Sequence, residues 1–92
     1  MKNIVKLSAM PHAQAFVYRN YEHATVLRSY QTDVAYIDND GWLVVNGLYS
    51  MTTRKHIGAF VKEYAKIDFQ LAKKFYQDGM KYNVFTGEVC PI

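Results

Sequence analysis

The side chains best suited to chemistry lie in one short stretch of the chain, between residues 50 and 56. The stretch combines three hydroxyls, two cations and an imidazole, on Ser50, Thr52, Thr53, Arg54, Lys55 and His56. Apolar residues downstream recur at helical spacing and predict a helix over about residues 51–65, so the stretch would lie at a helix start. Backbone N–H groups there lack intrahelical partners, and the helix dipole is positive. Because no Asp or Glu occurs between Asp40 and Glu63, the pattern predicts a phosphate or carboxylate site.

A purely structural interpretation of the same stretch competes with this one. Ser50, or else Thr52, would cap the helix, the cations would point to water, and His56 would donate to a backbone carbonyl of the sheet. Thr52 and His56 are four residues apart and share a helix face, but no acidic residue lies near them to orient the imidazole. We therefore expect no catalytic residue, no enzyme activity and no cofactor.

The remaining histidines and the cysteine do not indicate a metal site. His12, His23 and His56 lack close metal-ligand spacing, and Cys90 is the only cysteine, so no metal and no internal disulfide are expected. A lone thiol is typical of a reducing compartment, and no apolar run has the length of a signal peptide core or a membrane span. We predict a cytoplasmic protein without a membrane partner, folded as a single domain over residues 1–92.

Basic and aromatic residues alternate in the first third of the chain, which is a second place where a ligand could bind. The basic residues are Lys2, Lys6, Arg19 and Arg28, and the rings among them are Phe16, Tyr18, Tyr21 and Tyr30. On strands, such a pattern can stack bases and neutralise phosphates of single-stranded nucleic acid. The alternative is a half-buried sheet with an ordinary polar face. The net charge of +3 permits an anionic partner without requiring one.

The strands that would position these side chains are predicted mainly from turn chemistry. Residues 25–46 alternate β-branched and aromatic runs with turns, which predicts an antiparallel meander whose closing turn lies at 38–41. Weaker extended segments occur at 4–7 and 15–18, and the tail after residue 80 would either add a strand or wrap the surface.

Two helices complete the predicted fold. The first carries an apolar stripe at Ile57, Phe60, Val61 and Tyr64, and the second would start at Asp68 and end before Gly79. We therefore predict an α+β fold in which a small antiparallel sheet of three to five strands packs against two helices.

Two segments resemble a known family. The sequence S-Y-Q-T-D-V-A at 29–35 is similar to the motif S-Y-[N/D]-T-x-V-A, with Gln31 at the position of Asn or Asp. Residues 47–57 resemble G-x-Y-S-x-T-T-x-x-H-[I/V], and Phe60 matches the Phe that follows. These motifs are typical of a family of small uncharacterised proteins of tailed bacteriophages and prophages, a domain of unknown function. The resemblance implies a phage origin and no known activity.

Three functional hypotheses remain open. The first is a non-enzymatic phage accessory protein that binds and inhibits a host protein, such as a defence component, through a surface that includes Arg28, Tyr30 and Tyr49. The second is a binder of a small anionic ligand, such as a nucleotide signal, at residues 50–56. The third is a module that binds single-stranded nucleic acid. A ring-rich chain of 92 residues also has more apolar surface than a small core hides, so we expect a homodimer or a partner complex.

Overall fold

The computed structural model describes residues 4–22 and 24–92. Lys2 of the basic and aromatic pattern, and His23, therefore lie outside the described residues. The strands, in chain order, are β1 Ile4–Lys6, β2 Ala15–Arg19, β3 Thr25–Ser29, β4 Thr32–Ile37, β5 Trp42–Val45, β6 Met80–Asn83 and β7 Val89–Pro91. The helices are α1 Met51–Tyr64 and α2 Phe69–Gln77.

The described strands form one seven-stranded sheet in the order β1 to β7, and each neighbouring pair is antiparallel. Both helices are inserted between β5 and β6, which are adjacent in the sheet. The α+β class is as predicted, but the prediction of three to five strands is wrong. The extended segment predicted at 4–7 is β1, and the tail adds the strands β6 and β7 to the sheet. The two edge strands, β1 and β7, have three residues each and are mostly exposed, so their hydrophobic pattern is weak.

One face of the sheet packs on the helices and forms the core. Ile57, Phe60 and Val61 of α1 are fully buried against this face, which confirms most of the predicted stripe. Each such side chain contributes roughly 1.5–3 kcal/mol when it is removed from water. Leu27 of β3 and Val34 of β4 are 0% and 1% exposed and belong to the same core cluster. The sheet therefore fixes the position of α1 and of every side chain that α1 carries.

The helix ends are set by local chemistry that the sequence predicts. The side chain of Ser50 accepts a hydrogen bond from the Thr53 backbone N–H at 3.2 Å, so Ser50 is the N-cap of α1. Asp68 caps α2 in the same way through Leu71, at 2.9 Å. Gly79 follows α2 with φ of +68°, a left-handed geometry that glycine adopts without strain.

The other face of the sheet, called here the outer face, carries no helix in the described part of the chain. Along β2, Ala15 and Val17 are buried in the core, whereas Phe16 and Tyr18 alternate with them and point outward, half-buried. The outer face is therefore available for contacts. No helix among residues 4–22 and 24–92 is long and apolar enough to span a bilayer.

Candidate functional site

The residues predicted to form one site at the start of α1 are divided between the buried side and the exposed side of the helix. Thr53 and His56 face the core and are only 5% and 1% exposed. Lys55 and Thr52 are exposed, and Arg54 is half-buried. A helix turns by about 100° per residue, so a continuous run of polar side chains is divided among its faces. The run is one cluster in the sequence but not one cluster in space.

Thr53 and His56 meet Ser29 of β3 and form a buried polar network. The Ser29 Oγ lies 3.0 Å from the Thr53 Oγ1 and 2.8 Å from the His56 Nδ1. The Ser50 hydroxyl donates to the Thr53 Oγ1 at 3.3 Å and so extends the network to the helix cap. His56 therefore bonds to a side-chain hydroxyl of the sheet and not to a backbone carbonyl. We call these four residues the polar network.

Counting donors gives one arrangement of hydrogens that satisfies the polar network. Because the Ser50 hydroxyl donates to Thr53, the Thr53 hydroxyl is free to donate to Ser29, and the Ser29 hydroxyl then donates to the His56 Nδ1. In this arrangement each hydroxyl donates once, the His56 Nδ1 accepts, and the ring proton is on Nε2. Within the described residues, no buried side-chain N or O atom lacks a partner. The network is therefore complete as it stands.

Burial lowers the pKa of His56 below its ordinary value of 6.5, because the charged imidazolium loses its hydration. Protonation would also oppose the donor direction of the network. A proton on Nδ1 would turn the Ser29 hydroxyl toward Thr53, whose own hydroxyl would then lose its acceptor. The buried, engaged hydroxyl of Ser29, 2% exposed, cannot reach a substrate in this state. The arrangement supports the fold and offers no accessible nucleophile.

Sequence reasoning did not select Ser29 as a site residue. Ser29 lies 24 and 27 positions from its two partners, so no local spacing connects them. A weak signal exists, since Ser29 has the same parity on β3 as Leu27 and therefore shares its core-facing side. A polar residue on the core side of a strand requires a hydrogen-bonding partner.

Each serine of the polar network is next in the sequence to a tyrosine whose backbone has left-handed geometry. Tyr30 has φ of 56° and Tyr49 has φ of 51°, and their exposed fractions are 52% and 58%. This geometry costs a residue with a side chain roughly 1–2 kcal/mol. The Tyr30 ring rests on the His56 ring with centroids 5.8 Å apart. Strain of this kind persists where the surroundings fix it, and here it holds two exposed rings in defined places.

A depression of about 410 Å³ on the outer face is lined by Ile4, Phe16, Tyr18, Arg28 and Tyr30. We call it the sheet pocket. It contains Arg28 and Tyr30, two of the three residues predicted for an interaction surface, whereas Tyr49 is not part of its lining.

The polar side chains of the sheet pocket hold one another in place. The Arg28 Nε lies 3.0 Å from the Asp33 Oδ1, and the Tyr18 hydroxyl donates to the Asp33 Oδ2 at 2.7 Å. The Arg28 guanidinium also lies over the Tyr18 ring, 5.5 Å from its centroid. Burial, followed by the hydrogen bond to Asp33, raises the pKa of Tyr18 above 10. Lys6 lies over the Phe16 ring at 4.3 Å.

The outer face changes sign next to the sheet pocket. A neighbouring depression of about 280 Å³ contains the carboxylates of Glu22, Asp33 and Asp38 beside Tyr36. Asp33 lies at the boundary, because it also binds Arg28. A polyanion that crossed this face would meet the three carboxylates. The outer face therefore presents charges of both signs.

Two cations of α1, Arg54 and Lys55, line a groove of about 470 Å³ between α1 and α2, called here the helix groove. Its lining residues are Met51, Arg54, Lys55, Gly58, Ala59, Phe69, Gln70 and Lys73. Gly58 allows α2 to approach closely, since a Cβ there would lie 3.3 Å from the Phe69 Cβ. The predicted anion site at residues 50–56 therefore has Ser50, Thr53 and His56 in the polar network, and Arg54 and Lys55 on the helix groove.

Comparison with known proteins places the chain in a family whose function is unknown. Neither the curated proteins nor the solved structures contain a significant match to the chain. One family model matches residues 3–78, a span that includes the polar network, the sheet pocket and the helix groove. The chain therefore belongs to a family of unknown function, DUF8033.

Proposed function

We propose that this protein is a non-enzymatic binding protein whose partner is another protein that docks in the sheet pocket. The observation that carries the proposal is the composition of this pocket, in which Tyr and Arg side chains surround an apolar floor on the outer face. Tyr and Arg dominate the energetic centres of protein interfaces. Ile4 is 62% exposed and Tyr30 is 52% exposed, so both present apolar area that a partner would cover.

The rigidity of the sheet pocket supports binding further. Asp33 holds both Arg28 and Tyr18, so these side chains lose little conformational freedom when a partner docks. Tyr30 is fixed by its left-handed backbone and by the ring of His56. A preorganised surface binds more tightly than a flexible surface of the same area because less entropy is lost on association.

The finer part of the proposal concerns the partner. The motifs at 29–35 and 47–57 resemble phage and prophage proteins, and a phage accessory protein acts in the cytoplasm of its host. We infer that the partner is a host protein and that binding inhibits it, as in counter-defence. This inference rests on the resemblance of the motifs and not on the geometry. A second copy of the chain is the competing occupant, because a homodimer would also cover the exposed rings.

The proposal is tested with matched variants. The protein, immobilised through a C-terminal tag, captures partners from a bacterial lysate, and a captured protein is purified and titrated by calorimetry. We expect Arg28→Ala and Ile4→Glu to weaken the complex by roughly 30-fold or more, as at interface centres. Lys62→Gln, an exposed change on α1, is the control and should leave the affinity unchanged. Circular dichroism checks that each variant is folded.

Two results would overturn the proposal. The first is a purified partner that binds wild-type protein and both sheet-pocket variants equally. The second is a homodimer, detected by light scattering, that Ile4→Glu dissociates, because the sheet pocket would then be occupied by a second copy.

A small anionic ligand is the second candidate function, and one observation favours it. Arg54 and Lys55 lie near the start of α1, where the first turn contains no acidic residue. Thermal melts with a panel of nucleotides test this candidate. A nucleotide that stabilises the wild-type protein but not Arg54→Glu would support it.

A further inference from the structure

The positive charge of the protein is concentrated in its helical layer. Residues 51–77 contain six Lys and Arg against two Asp and Glu, a net charge of +4, which exceeds the +3 of the whole chain. The two acidic side chains there are already engaged. Glu63 accepts hydrogen bonds from the backbone and the hydroxyl of Ser8, each at 3.0 Å, and Asp68 caps α2.

Three of these cations converge on the helix groove. Arg54 and Lys55 line it from α1, and Lys73 lines it from α2. The ion pairs among residues 4–22 and 24–92 are Arg28–Asp33 and Lys74–Asp78, so none of the three groove cations has a carboxylate partner there. Like charges across a groove repel one another, and an anionic occupant would relieve that repulsion.

The floor of the helix groove is apolar. Gly58 and Ala59 of α1 and the Phe69 ring of α2 form it, and Met51, 69% exposed, stands at its rim. The groove is open along its length, whereas sites for small ligands enclose most of the ligand surface. An occupant that fits both the floor and the rim has apolar side chains flanked by carboxylates.

From this geometry we infer that the helix groove is a second docking site, which binds an acidic amphipathic segment of a protein. Apolar side chains of the segment cover Met51, Ala59 and Phe69, and its carboxylates meet the groove cations. This is the arrangement by which amphipathic helices bind in apolar grooves with charged rims. The site lies on the helical layer, away from the sheet pocket, so it does not depend on the function proposed above.

The test uses a designed probe because no natural segment is identified. The probe is a fluorescent helical peptide of about 16 residues with Leu at helical spacing i, i+4, i+7 and Glu elsewhere. Its binding is followed by fluorescence anisotropy at about 0.1 M salt. The same peptide with Lys in place of Glu, oligothymidylate of about 16 nucleotides, and adenosine triphosphate are the comparison ligands.

We expect the acidic peptide to bind and the basic peptide not to bind. Lys55→Gln with Lys73→Gln removes two groove cations and should weaken binding of the acidic peptide roughly tenfold. The control variant, Lys62→Gln with Lys74→Gln, removes the same charge from the helical layer but outside the groove lining. It should change the affinity for the acidic peptide less than about twofold. Met51→Ala, at an exposed position, should weaken binding without affecting the net charge.

Several outcomes would overturn the inference. If the two double variants weaken binding equally, the peptide responds to the charge of the helical layer and not to the groove. If Met51→Ala has no effect, the segment does not cover the apolar side chain at the rim of the groove, contrary to the inference. Oligothymidylate or adenosine triphosphate could bind more tightly than the peptide and lose that binding in Lys55→Gln with Lys73→Gln. The groove would then be assigned to nucleic acid or to a nucleotide. Absence of peptide binding at millimolar concentration would reject the site.

Discussion

Among substitutions that remove one polar side-chain atom, Ser29→Ala should be one of the most destabilising in this protein. The Ser29 Oγ lies between the Thr53 Oγ1 and the His56 Nδ1, at 3.0 and 2.8 Å. Both partners are buried, so neither can exchange the lost hydrogen bond for water. Leaving one buried polar atom unsatisfied costs about 1–3 kcal/mol. Thr53 keeps its contact with Ser50, which places its share at the low end.

The expected loss for Ser29→Ala is therefore about 2–4 kcal/mol in the free energy of unfolding. For a domain of this size, such a loss lowers the melting temperature by roughly 10–30 °C. Urea denaturation of the wild-type protein and the variant gives the difference in free energy of unfolding directly, provided that the free energy falls with urea concentration at the same slope in both. Thr52→Ala is the matched control, because it also removes a hydroxyl at the start of α1 but from an exposed side chain. It should change stability by less than about 0.5 kcal/mol.

A loss from Ser29→Ala that is no larger than the loss from Thr52→Ala would refute this account of the polar network. A double variant, Ser29→Ala with His56→Leu, provides a second check, because it removes the polar partners together. Its loss should be smaller than the sum of the two single losses, since the orphaned imidazole nitrogen is gone.

Three further predictions concern the same region. Because burial lowers the pKa of His56 below its ordinary value of 6.5, the contribution of His56 to stability should be complete well above pH 6.5 and decline as the pH falls below 6.5. Urea denaturation should show this decline in the wild-type protein and in His12→Gln but not in His56→Gln. Tyr49→Gly should change stability by less than about 1 kcal/mol, while Tyr49→Val should cost more than 1 kcal/mol because a β-branched residue resists φ of 51°. Ser50→Ala should lower the free energy of unfolding by about 1 kcal/mol, because the helix loses its cap. Arg54→Glu should be neutral or slightly stabilising, because a carboxylate complements the helix dipole. Equal effects of the two changes in thermal melts would contradict the cap assignment.

The parts of the fold that the sequence predicts are those determined by neighbouring residues. The α1 stripe is visible because Ile57, Phe60 and Val61 follow the helical period within one segment. The helix caps at Ser50 and Asp68 are visible because a cap bonds to a backbone group only three residues away. The hairpin of β4 and β5 is visible because its turn, residues 38–41, contains residues with special backbone preferences, and β3 is visible from its β-branched and aromatic residues.

The parts that the sequence does not predict depend on contacts between distant segments. β7 becomes a strand because β6 offers hydrogen bonds, and its three mostly exposed residues contain too little pattern to show it. Ser29 and His56 meet because α1 packs on β3, which no local spacing encodes. The polar run at 50–56 suggests one site, but the rotation of the helix directs Thr53 and His56 inward and Lys55 toward α2.

The two candidate docking surfaces belong to different layers of the fold. The sheet pocket lies on the outer face and the helix groove lies on the helical layer, and no residue lines both. Substitutions at sites that share no partners usually act additively. Combining Ile4→Glu with Lys55→Gln and Lys73→Gln should therefore leave each binding defect unchanged, because the two sites have no lining residue in common.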